Sequence, residues 1–166
     1  MRGRLSSTYL LALGSNRRHH RYGPPRAVVL AAMEELAALG TVSDRSAVFD
    51  TAPLGPAQRR FANAAAVLET EFDPGTLLVA LQHMERSFGR RRAQRWADRT
   101  LDLDIVLWSE GFFAAEGLVI PHPSFRERGF VLDPASAIAP DWVDPLSGLT
   151  LRRLKARLTH PRPAPS

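Results

Sequence analysis

The sequence predicts an α+β domain of ferredoxin-like βαββαβ order, a sandwich with helices on one face of a sheet and additional C-terminal elements after residue 110. Three observations predict it: an unbroken apolar run at Tyr9 to Leu13, two stretches of helical spacing that each follow a strand, and an alternation of apolar and polar residues over 101 to 108. The size fits one domain, since the chain has 166 residues, 45% hydrophobic and 23% charged, with no cysteine. A chain of this length buries roughly two-thirds of its surface on folding, so its core needs no disulfide or structural metal. We expect one domain over residues 1–159 and a Pro-rich tail, 160–166, without regular structure.

Tyr9 to Leu13, closed by Gly14, reads as a central strand buried on both faces. Pro24 and Pro25 then open a helix in which Val29, Met33 and Leu36 recur at helical spacing, and Gly40 stops it. Residues 41 to 50 and 61 to 71 are rich in Val, Phe and Thr and read as strands. Between them Ala52-Pro53-Leu54-Gly55-Pro56 forbids a regular ladder and predicts a working loop. Asp73 and Pro74 form an N-cap and first-turn pair for a second helix, with Leu77, Leu81, Met84 and Phe88 on one face until Gly89. Over 101 to 108, Leu101, Leu103, Ile105 and Leu107 take one face of a strand and Asp102, Asp104, Val106 and Trp108 the other. Leu118 to Ile120 reads as a further short strand.

Composition excludes several function classes. Without cysteine there is no thiol nucleophile, iron–sulfur cluster or Cys-ligated zinc. No apolar run approaches the roughly 20 residues that cross a bilayer, and the N-terminal stretch reads as a strand and not a signal-peptide core, so we expect a cytoplasmic protein with no membrane partner. The net charge of +5 is local: residues 1 to 26 carry six Arg and no acid, and residues 86 to 99 carry six Arg and one Asp. Outside these two segments acids outnumber bases, which points to a polyanionic ligand bound at one place.

Asp102-Leu103-Asp104 carries the sharpest chemistry. Residues two apart on a strand share a face and lie about 6.6 Å apart along it, so both carboxylates reach one metal cluster. Hard oxygen ligands suit Mg²⁺ held against phosphate oxygens, although two solvated aspartates on an exposed sheet face would read the same. Arg90, Arg91, Arg92, Arg95 and Arg99 precede the pair directly, and guanidinium forks bind phosphate and stabilise charge in phosphoryl transfer. The same segment, with Trp96 as a stacking platform, also fits a nucleic-acid loop. Against that, Arg128-Gly129-Phe130-Val131 matches only the opening of the RNA-binding RNP1 pattern, and we expect no nucleic-acid partner. Pro121-His122-Pro123 with Arg126 and Arg128 adds a constrained His and further cations. Thr51 to Pro56, Phe61 and Asn63 suit a planar heterocycle, with aromatics for its faces and an amide for its edge. His19, His20 and His83 read as surface residues.

Taken together, these segments resemble the 6-hydroxymethyl-7,8-dihydropterin pyrophosphokinase (HPPK) family of folate biosynthesis, over about residues 8 to 140. The resemblance rests on Leu13-Gly14-Ser15-Asn16; Thr51-Ala52-Pro53-Leu54-Gly55-Pro56 with Phe61-Ala62-Asn63-Ala64; Glu85 and Gly89-Arg90; Arg95-Trp96 and Arg99-Thr100-Leu101-Asp102-Leu103-Asp104; and Pro121-His122-Pro123 with Arg128-Gly129-Phe130-Val131-Leu132. It implies a 2-amino-4-hydroxy-6-hydroxymethyldihydropteridine diphosphokinase, which transfers pyrophosphate from ATP to the pterin hydroxymethyl oxygen and releases AMP. It implies that Asp102 and Asp104 hold two Mg²⁺ and that, with them, Arg90 and Arg99 are catalytic. Gln82, Glu85, Arg90, Arg92, Trp96, Arg99, Ile105, His122 and Arg128 would form the ATP side. Thr51, Ala52, Pro53, Leu54, Phe61, Asn63 and Phe130 would form the pterin side, with Phe61 and Phe130 sandwiching the ring. Segments 15–24 and 89–99 would close over the substrates, and the chain would act as a monomer. The sequence departs from the family's Trp-Gly-Pro-Arg at Trp96-Ala97-Asp98-Arg99, which sets an acid among the phosphate-binding arginines and implies an active enzyme with weaker ATP affinity.

Overall fold

The computed structural model describes residues 5–51, 60–89 and 100–160. Its centre is an antiparallel sheet in the order β2-β4-β1-β5, with β3 pairing on β4. β1 (Ser7–Ser15) and β4 (Phe61–Thr70) lie innermost, β2 (Thr41–Arg45) and β3 (Phe49–Thr51) flank β4, and β5 (Asp102–Trp108) pairs with β1. A hairpin of β6 (Phe113–Ala115) and β7 (Leu118–Ile120) follows.

Helices flank both faces of this sheet, where the sequence predicts them on one. The reason lies in β1 and β4, whose side chains are apolar in both directions and demand cover on both. On the first face Leu11, Leu13, Ala64 and Leu68 meet α1 (Pro25–Glu35) and α2 (Pro74–Ser87) through Val29, Met33, Leu77, Leu81 and Phe88. On the second, Leu10, Ala12, Ala65 and Val67 meet α3 (Gly129–Ile138) and α4 (Leu151–Thr159) through Val131, Leu132, Ala135 and Leu154. Each fully buried Leu or Val contributes about 1.5–3 kcal/mol by leaving water.

Local chemistry fixes the ends as predicted for α2: the Asp73 carboxylate accepts from the Thr76 N–H at 2.8 Å, Pro74 occupies the first turn, and Gly89 follows in the left-handed region at φ 107°. The predicted alternation in β5 fails at one place. Leu11 pairs with Ile105 but Leu10 with Leu107, so Val106 is an extra residue. This bulge turns Val106 and Leu107 together into the second core, while Trp108 swings to the first and stacks on Tyr9 at 6.1 Å. Sequence alternation placed Leu107 with Leu103 and Ile105; the partner strand decides otherwise.

Candidate active site

The register of three strands lays out a row. Gly14 of β1 stands opposite Asn63 of β4 on one side and opposite Asp102 of β5 on the other, and Phe49 of β3 extends the row beyond Asn63. Directly paired residues share a face, so Asn63, Gly14 and Asp102 look the same way, toward the side that α3 covers farther along the strands. Ala12 forms the next row with Ala65 and Asp104. Small residues thus lie between the two aspartates and β4. Phe61, two residues before Asn63, pairs with Thr51 and is 44% exposed; Phe130, in the first turn of α3, is 52% exposed.

The β5 side of the row is held from outside the sheet. Glu85, a buried residue of α2, accepts the Leu103 N–H at Oε2 over 2.9 Å, between the two aspartates. Farther along, the His122 N–H donates to the Val106 carbonyl at 3.0 Å, just beyond a cis Ile120–Pro121 peptide. The His122 ring accepts the Ser124 N–H at Nδ1, 3.1 Å, which leaves its proton on Nε2. Burial and then the Arg128 charge lower the His122 pKa, against an opposing pull from Asp102. His122, Arg128 and Asp102 therefore share one electrostatic neighbourhood, and the Arg128 guanidinium lies 5.7 Å from the Phe130 ring centre.

Two sequence readings are corrected. Arg126, read only as a further cation beside His122, is committed to the fold: it forks onto Asp144 through Nε at 2.6 Å and Nη2 at 2.8 Å. His19, read as a surface residue, is buried: it stacks on His20 and packs tilted against Tyr22, and Tyr22 stacks on Phe88. Its Nδ1 accepts the Arg21 and Tyr22 N–H groups, and two backbone bonds between His19 and Gly23 close the turn. No periodic signal marks such a turn. Burial, then His20 and Arg21, lowers the His19 pKa, so the unfolded chain protonates first. Stability from this residue is present above the ordinary His value of about 6.5 and declines as pH falls below it. We expect the thermal midpoint to drop between pH 7.5 and 5.5, and to drop less in His19→Asn, whose amide oxygen accepts the same N–H groups without titrating.

Of the other predicted residues, Gln82 is partly exposed on α2, and the Ile105 side chain is buried in the first core. Ala52, Pro53, Leu54, Arg90, Arg92, Trp96 and Arg99 lie outside the described residues, and Thr51 is placed by its backbone alone. Among the described residues no three or more His, Asp or Glu side chains gather as a metal site, and no helix is long and apolar enough to cross a membrane. Two carboxylates on one face are nevertheless a donor set that fits Mg²⁺, which binds through one or two carboxylates and completes its shell with water and substrate phosphate.

Residues 10–140 match the family model of 7,8-dihydro-6-hydroxymethylpterin-pyrophosphokinase (HPPK). The chain is 40% identical over 151 residues to the 2-amino-4-hydroxy-6-hydroxymethyldihydropteridine pyrophosphokinase of Methylorubrum extorquens, covering 89% of this chain and 91% of that one. Its counterpart in Haemophilus influenzae is 37% identical over 156 residues, covering 92% and 94%. In fold, the chain is similar to the crystal structure of Plasmodium falciparum HPPK-DHPS with pteroate, at TM-score 0.70 and 14% identity, over 97% of this chain. It spans 44% of that longer chain.

Proposed function

The chain belongs to the 7,8-dihydro-6-hydroxymethylpterin-pyrophosphokinase family, and from that premise we propose that the row Asn63, Gly14 and Asp102 is where its two substrates meet. The reaction is that of folate biosynthesis: a diphosphoryl group passes from ATP to the hydroxymethyl oxygen of 6-hydroxymethyl-7,8-dihydropterin, leaving AMP. The new bond joins that oxygen to the β-phosphorus while the bond from the β-phosphorus to the oxygen it shares with the α-phosphorus breaks; that oxygen leaves as part of AMP, and the hydroxyl proton is released to water.

In this reading Phe61 and Phe130 take the two faces of the pterin, Asn63 pairs with its polar edge, and the backbone of Thr51, Ala52, Pro53 and Leu54 closes the pocket. Asp102 and Asp104 would hold two Mg²⁺, which when bound neutralise the phosphates and polarise the transferred group. Arg90 and Arg99 offset the triphosphate charge, with Gln82, Arg92, Trp96, His122 and Arg128 as further nucleotide contacts. His122 offers its Nε2–H to a phosphate oxygen, and burial and the Arg128 charge hold its pKa below the ordinary histidine value. Ile105 contributes its backbone, because its side chain is in the core. Glu85 acts by holding Leu103, and so the two aspartates on either side of it. Catalysis then consists of alignment and charge neutralisation, with no covalent intermediate on the protein.

We further read the sheet order as ferredoxin-like, with β3 an extension of the edge and α3 and α4 the additional elements, and the chain as one catalytic domain over 1–159, monomeric and cytoplasmic. The observation that carries the functional reading is the register that sets the amide, the glycine and the first aspartate side by side. Chromatography of nucleotides after incubation with Mg-ATP tests it. We expect AMP only when 6-hydroxymethyl-7,8-dihydropterin is added, matched by a diphosphorylated pterin; ADP, or no AMP from folded protein, overturns it.

A further inference from the structure

Glycine inside a strand is a local cost, since it gains no packing and loses more chain entropy than alanine. Gly14 lies inside β1, paired on both sides, with an ordinary backbone conformation, so no turn or positive φ demands it. Space does. A Cβ on Gly14 would stand 3.0 Å from Asn63 Oδ1, and the next atom in its way, the Ala62 carbonyl oxygen, is 3.9 Å off, an ordinary contact. Among the described residues, the one group such a carbon would disturb is the Asn63 amide. Gly40 is the contrast: a Cβ there would strike the Glu69 backbone carbonyl at 2.2 Å, so that glycine serves the fold.

We propose that Gly14 is a positioning residue for the acceptor substrate, whose missing Cβ sets where the Asn63 amide stands and hence how far the heterocycle lies from the aspartates. The proposal rests on the assignment of Asn63 to the pterin. Neighbouring strands are about 4.8 Å apart, so Asn63 and Asp102 are separated by about 9.6 Å with Gly14 midway. An acceptor held by its edge at Asn63 and presenting its alcohol toward Asp102 must pass over Gly14. A carbon there does two things: it rotates the amide away from the ring edge, and it raises the surface the substrate crosses. The amide oxygen is the end of a flexible side chain, so it can yield without disturbing the sheet.

The test is a double-mutant cycle on the full chain, with pterin and ATP binding measured separately by calorimetry and the thermal midpoint recorded for each variant. Asn63→Ala is expected to weaken pterin binding about tenfold, the worth of one good hydrogen bond, and to leave ATP binding unchanged. Gly14→Ala is expected to give a similar loss for pterin alone, with a midpoint close to that of the parent. In the Asn63→Ala background, where the nearest obstacle is the Ala62 carbonyl, Gly14→Ala is expected to add less than about threefold. Parent-like pterin binding by Gly14→Ala overturns the proposal, and so does an equal loss in both backgrounds, which marks an effect independent of the amide. Should Gly14→Ala alone fail to fold, a folded double variant supports the coupling and an unfolded one overturns it. If Asn63→Ala itself binds pterin like the parent, the assignment of Asn63 falls first and takes this proposal with it, a result distinct from failure at Gly14.

Discussion

Asp102→Ala and Asp104→Ala are each expected to lower turnover by more than about a hundredfold at saturating Mg-ATP, the scale of loss when a group that stabilises transition-state charge is removed. Neither should unfold the protein. Both side chains lie half-buried beside Gly14 and Ala12, at the end of the second face beyond α3, and neither belongs to either core. They are also like charges one strand repeat apart, about 6.6 Å, so truncating one relieves repulsion as well as removing a ligand. Asn in place of either keeps the shape and loses the charge, and should recover little. Steady-state AMP formation, with the thermal midpoint of each variant beside it, checks the point. Full activity in both alanine variants would sink the assignment of these carboxylates.

Asp144→Ala should have the largest effect on stability. The Asp144 side chain is fully buried, and its carboxylate accepts from Arg126 Nε and Nη2, the Leu146 and Ser147 N–H groups and the Ser147 hydroxyl. Its removal leaves a mostly buried guanidinium, packed over the Phe125 ring, without its counter-charge; breaking such a pair costs about 3–5 kcal/mol. For a domain of this size that lowers the thermal midpoint by roughly 10 °C. Burial alone would raise the Asp144 pKa, but the bonds from Arg126, Ser147 and Leu146 outweigh it and hold it down to about 2. A depressed carboxylate gives stability that is whole above its unfolded value and lost as pH falls toward the folded one. The parent should therefore lose roughly 2–3 kcal/mol between about pH 5 and pH 1 through this group, and the variant should not. Urea melts at pH 7 and pH 3 separate the two curves. Replacing both partners with apolar residues of similar volume should cost less than either single change.

What the sequence made legible follows from how local each signal is. The Asp73 cap, the Pro74 start and the helical face of α2 are decided within a few residues, and they stand where the pattern put them. Asp102 and Asp104 share a face because a strand alternates, whatever lies beside it. The bulge at Val106 is not local: it exists only in the pairing with Leu10 and Leu11, so alternation alone sent Leu107 to the wrong core. α3 is not legible in the sequence because Pro134 sits inside it and Gly129 begins it, two residues that ordinarily argue against a helix. Its burial of Val131, Leu132 and Ala135 against the sheet overrides that cost. Arg126 and Asp144 are 18 residues apart, and nothing in either segment names the other. The same holds for Gly14 and Asn63, whose relation is visible only once β1 and β4 are in register.

Among the described residues β5 is the outermost strand of its side of the sheet, and such a strand ordinarily offers its unpaired amides and carbonyls to any extended chain that drifts past. Here the Leu103 amide is taken by Glu85 and the Val106 carbonyl by the His122 amide. An invading strand would have to displace a buried carboxylate and a proline-flanked loop before it formed its first two bonds. The contacts that hold the aspartates and the histidine in place thus also guard this rim against strand addition, and a substitution such as Glu85→Ala would expose the protein to clumping as well as to loss of catalysis.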